Sequence, residues 1–161
     1  MRLVHILIAG LAASSALLPV AAVAQAEGAA PQCDVTYFTT EDLLALIGRT
    51  ENPPVIEGFE ALCLRLAQEG AGLRLTHNSG ELSDRSFGWV SVSVIDLTTQ
   101  IEGTARQTTI SLTQDLGQPV VEGALIDALA AAVRDVARDP DPFIQSMRDE
   151  IAEIRQVLAP R

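Results

Sequence analysis

The chain has 161 residues, with 11 basic side chains against 21 acidic ones and a formal net charge of -10. That length is one domain's worth of protein. Every basic side chain is arginine, which excludes Schiff-base chemistry and a phosphate-cradling lysine, and the acidic balance speaks against nucleic acid or anionic lipid as partner, since both need surplus cations to displace counterions.

Residues 1–26 read as a cleaved secretory signal peptide. Met1-Arg2 supplies a positive start, Leu3 to Val23 is almost wholly apolar, and Ala24-Gln25-Ala26 is the small-x-small pattern that precedes cleavage. Gly10, Ser14, Ser15 and Pro19 make the run a poor membrane span, so no anchor is expected after cleavage. Residues 27–161 then form a single exported domain, placed in the periplasm, with 10 arginines and 21 acids. Cys33 and Cys63 are its only cysteines, and an oxidising compartment favours their pairing as a structural disulfide.

Thr39-Thr40-Glu41-Asp42 offers a hydroxyl cap followed by acids, and Leu43, Leu44, Leu46 and Ile47 form an apolar stripe, which predicts a short helix closed by Gly48. Asn52-Pro53-Pro54 breaks it. Ile56, Phe59, Cys63 and Leu66 recur at three and four, predicting a second helix that stops at Gly70.

The period then changes to two. Leu73 and Leu75 alternate with polar residues in a short strand that Asn78-Ser79-Gly80 is expected to end with a turn. Phe87 to Leu97 is the strongest strand, with Val90, Val92 and Val94 on one face and Phe87, Trp89, Ile95 and Leu97 on the other. Thr98 to Ala105 reads as a polar loop, and Gln107 to Leu116 as a third strand whose Ile110 and Leu112 are expected to mark its core face.

Pro119 suits the first turn of a helix, with Val121, Leu125, Leu129, Ala132, Val133 and Val136 along one side. A last, amphipathic helix over residues 142–158 carries Ile144, Met147, Ile151, Ile154 and Leu158 as a heptad-like seam. That seam needs a neighbour, either the preceding helix or a second subunit. The element order predicts an α+β domain: a small three-stranded antiparallel sheet with helices before and after it, packed on one face.

Catalytic and metal chemistry lack their members. His77 is the only histidine after residue 26, so a His/Cys zinc site and a histidine relay each miss a second partner. No G-x-S-x-G occurs, and Asp135, Asp139 and Asp141 do not follow the EF-hand spacing. The expectation is a protein that is not an enzyme and takes no metal or cofactor. The residues expected to meet a protein partner are Phe87 and Trp89 on the strongest strand, and Ile144, Met147, Ile151, Ile154 and Leu158 on the last helix.

Arg85-Ser86-Phe87-Gly88-Trp89 leads straight into Val90-Ser91-Val92-Ser93-Val94, then come a third strand and a long helix beginning Pro119-Val120-Val121. Over about residues 73–136 this pattern resembles the periplasmic curli-assembly accessory factors of the CsgE type. The cysteine pair and the helix after Asp139-Pro140 depart from it. The resemblance implies a non-enzymatic secretion factor, a chaperone-like accessory that self-assembles, docks at an outer-membrane secretion channel and handles amyloid subunits, with Trp89 at the contact. The alternative is a monomeric, disulfide-stabilised binding or inhibitor domain, which would show a closed apolar pocket between helices and sheet.

Overall fold

A computed structural model describes Cys33 and residues 35–159; the signal-peptide reading lies outside the described residues. The elements in chain order are β1 (Tyr37–Phe38), α1 (Glu41–Arg49), α2 (Phe59–Glu69), β2 (Ala71–Glu81), β3 (Ser86–Asp96), β4 (Glu102–Thr113), α3 (Gln118–Arg138) and α4 (Asp141–Leu158). The fold is α+β. Strands β2, β3 and β4 form the expected antiparallel meander, but the sheet has four strands, because β1 adds to the outer edge of β2 in parallel at Tyr37↔Leu73 and Phe38↔Arg74. Two residues carry too little period-two signal to announce a strand.

Local chemistry sets the helix ends. The Thr40 hydroxyl accepts from the Leu43 amide at 3.4 Å and caps α1, whereas Gly48 lies inside the helix, which runs on to Arg49. Gly70, at φ 61°, closes α2 in the left-handed conformation that glycine adopts without steric cost. Pro119 occupies the first turn of α3.

The hairpin between β2 and β3 departs from the sequence pattern. Asn78, Ser79 and Gly80 do not turn the chain; they stay in β2, opposite Trp89, Gly88 and Phe87. The reversal comes at residues 82–85, where the Leu82 amide donates to the Arg85 carbonyl at 2.7 Å. A Cβ on Gly80 would stand 3.3 Å from the Phe87 ring, so the small residue makes room for an aromatic across the ladder. The loop after β3 is likewise shorter than expected. The Asp96 carboxylate accepts from the Thr98 and Thr99 amides at 3.1 and 2.6 Å, and the chain re-enters the sheet at Glu102.

One core joins the layers. Leu73, Leu75, Val90, Val92 and Val94 on one face of the sheet pack with Leu43, Leu62, Leu66, Leu125, Val133, Val136, Ile144 and Met147 from the four helices. Two glycines let the helices approach. A Cβ on Gly88 would collide with the backbone of Ala124 and Leu125 in α3, and one on Gly103 would lie 2.7 Å from the Met147 amide in α4. Both glycines point to the same side as the valines of β3, so the helices lie on that side.

Candidate protein-binding face

The other face of the sheet starts from the same alternation. Phe87, Trp89, Ser91, Ser93 and Ile95 point away from the valine side of β3. The β4 register sets Leu112 opposite Phe87 and Ile110 opposite Trp89. These four side chains make an apolar end to the face. Ile110 is 60% and Leu112 57% exposed, and Phe87 and Trp89 are partly buried. The register sets these side chains as cross-strand neighbours on one face.

Ile110 and Leu112 were expected on the core side, and the structure reverses that assignment. The inward positions of β4 hold polar side chains instead. Gln107 donates through Nε2 to the Asp135 carboxylate of α3 at 3.0 Å, a part-buried polar need met from the helix layer. With Gln107 inward, the period of two puts Ile110 and Leu112 outward.

The opposite end of the face is charged. Glu102 sits between two guanidinium groups, 3.3 Å from Arg74 Nε and 3.3 Å from Arg106 Nη2, and accepts from the Ser93 hydroxyl at 2.6 Å. Thr108 donates to the Ser91 hydroxyl at 3.1 Å. The face is therefore amphipathic along the strands, apolar beside the hairpin and ionic beside the β3–β4 turn. Among the described residues β4 pairs with β3 alone, so its other edge is open apart from the Ala105 amide, which donates to the Ser146 hydroxyl at 2.9 Å.

The residues singled out from the sequence fall into three places. Cys33 and Cys63 are bonded, with Cα atoms 5.8 Å apart, tying the chain before β1 to the buried side of α2. Phe87 and Trp89 lie on the bare face. The α4 seam divides: Ile144 and Met147, at 1% and 2% exposure, sink into the chain's own core where α4 rests on β4, and Ile151 is partly buried against that core. Ile154 and Leu158 are exposed, as is Val157, which lies outside the heptad pattern. A partner therefore has no access to the first two, and the sheet separates the aromatic pair from α4.

His77 closes a different contact. Its Nε2 lies 2.7 Å from the hydroxyl of Thr40, the cap of α1, while Nδ1 is buried without a partner among the described residues. Burial lowers its pKa below the ordinary histidine value, against the pull of the Asp42 carboxylate. The arrangement is that of a structural histidine. Among the described residues no three metal-ligating side chains converge, and no helix is long and apolar enough to cross a membrane.

No family model, no curated protein and no solved structure matches the chain. The bare face is thus read on its own chemistry.

Proposed function

We propose that the protein is an exported, non-enzymatic assembly or secretion accessory factor that works in the periplasm. It holds an extended protein segment, of the curli-subunit type, against the bare face of its sheet. The observation that carries this reading is the exposure of Ile110 and Leu112 beside Phe87 and Trp89 at the hairpin end of a sheet face that, among the described residues, lies away from the helices. An isolated apolar side chain on a surface means little, but four in register on two adjacent strands form a patch that water penalises and a partner relieves. The open edge of β4 adds backbone donors and acceptors to which an extended segment can pair. A surplus of 21 acids over 10 arginines in residues 27–161 keeps copies of the protein apart while the patch is empty.

Trp89→Ala tests the reading. Trp89 is only partly buried, so the variant keeps its fold, with a stability loss of about 1 to 2 kcal/mol. It should lose the ability to delay fibre growth by an amyloid subunit that the unaltered protein delays, followed by dye fluorescence alongside particle mass. An unaltered protein with no effect on fibre kinetics and no binding to the subunit overturns the proposal.

A further inference from the structure

A second apolar feature lies in the helix layer, on the far side of the sheet from Trp89. The link after α1 contains Pro53 and Pro54, which cannot continue a helix, and it passes over α3 at the small side chain of Ala130. The result is a half-enclosed cavity of about 150 Å³. Its walls are apolar: Ile47 from α1, Phe59 from α2, Ile126 and Leu129 from α3. Protein interiors leave few voids of this size, because the lining atoms forfeit dispersion contacts across the gap.

The lining dictates what fits. Among the described residues no charged side chain reaches it, so an ionised group would lose its hydration there without compensation from them. An apolar cavity of roughly 150 Å³ has room for one benzene-sized ring. Among the described residues two polar side chains line it. The Thr50 hydroxyl already donates to the Leu46 carbonyl at 2.8 Å, which leaves its oxygen as an acceptor. Tyr37 has no side-chain hydrogen bond among the described residues, and burial pushes its pKa up to about 12, so it remains a protonated phenol at neutral pH.

Tyr37 and Val35 form the remaining wall, and their hold is slender. The β1 pairing spans two residues, supported by the Leu73 amide donating to the Thr36 carbonyl at 3.0 Å. The Cys33–Cys63 disulfide fixes the chain two residues before Val35 to α2.

We propose that this cavity is a binding site for a neutral, single-ring-sized apolar molecule carrying one hydrogen-bonding oxygen, and that the Cys33–Cys63 disulfide holds one of its walls in place. The site is independent of the sheet face.

The test is a titration of the disulfide-bonded protein, with Ile, Leu and Val methyls isotope-labelled, using p-cresol and toluene as probes. Saturable shifts are expected at Ile47, Ile56, Ile126, Leu129 and Val133, with a dissociation constant of about 1 mM or below for p-cresol. Ala130→Leu fills the cavity and should weaken both probes at least about tenfold without lowering the melting temperature. Tyr37→Phe should weaken p-cresol several-fold and leave toluene unchanged, which keeps the proposal open to failure even if the filled variant does not fold. Reduction with dithiothreitol should weaken both probes; unchanged binding there overturns the role given to the disulfide. Trp89→Ala should bind both probes normally. Absence of saturable shifts, or shifts confined to Ile110 and Leu112, overturns the site.

Discussion

Trp89 on β3 stands directly opposite Ile110 on β4, on the sheet face that the helices leave bare. The pair joins an aromatic anchor to a side chain that is mostly in water. An arrangement of that kind has unspent apolar area, and its replacement should separate stability from binding.

Ile110→Ser and Leu112→Ser are therefore expected to change stability by no more than about 1 kcal/mol, because the side chains already sit largely in water. The same double change should abolish the capture of an extended amyloid subunit. Urea unfolding and a pull-down with purified subunit check the two halves. A large stability loss would place these residues in a core.

The division of the α4 seam gives a contrast within one helix. Met147→Ala removes a side chain that is 2% exposed and should cost about 2 to 5 kcal/mol, whereas Leu158→Ala, at 75% exposure, should stay within about 0.5 kcal/mol. Thermal unfolding of both variants at equal concentration measures this. Equal effects would mean that the end of the helix is also packed.

Gly88 marks a close approach of β3 and α3. A methyl group there meets the backbone of Ala124 and Leu125, which has no rotamer to change, so Gly88→Ala should destabilise by about 3 kcal/mol or more. Gly123→Ala, on the same helix with open space around its Cβ, is expected to be neutral or stabilising. Calorimetry on the pair tests whether α3 lies against β3.

His77 predicts a pH dependence. In either tautomer one ring nitrogen faces the Thr40 hydroxyl and the other is buried without a partner, so a second proton finds no acceptor among the described residues. The folded pKa lies below the ordinary value of 6.5, and the unfolded chain binds the proton first. Stability is then full above about pH 6.5 and falls as the pH drops through that value towards the folded pKa, with Asp42 moderating the loss. His77→Gln should flatten the melting temperature between pH 7 and 5, relative to the unaltered protein. An identical slope in both would remove His77 from the account.

The Cys33–Cys63 bond closes a separation of 30 residues, which in the loop-entropy picture restricts the unfolded chain by about 3 to 4 kcal/mol. Reduction should lower the melting temperature accordingly. A melting temperature indifferent to reduction would show that the unfolded chain is already restricted there.

Several features follow from the sequence alone because they are local. Thr40 as a cap, Gly70 as a stop, Pro119 in a first turn and the valine alternation of β3 each depend on neighbours within a few residues, and each has the place the pattern predicts. The disulfide also follows, since two cysteines admit one intramolecular pairing. Tertiary structure alone decided which side of β4 is covered. A period of two defines two faces but not the one that helices occupy, and the Gln107 to Asp135 bond turned Ile110 and Leu112 outward. It likewise kept Asn78 to Gly80 in β2, where the Phe87 ring fills the space a side chain would take, and added β1, whose two residues are a strand only because β2 offers an edge beside them. In α4 one seam met two fates. Ile144 and Met147 reach the core past Gly103, while Ile154 and Leu158 lie beyond the packed part of the helix, a distinction set by where the sheet stops and invisible to the heptad spacing.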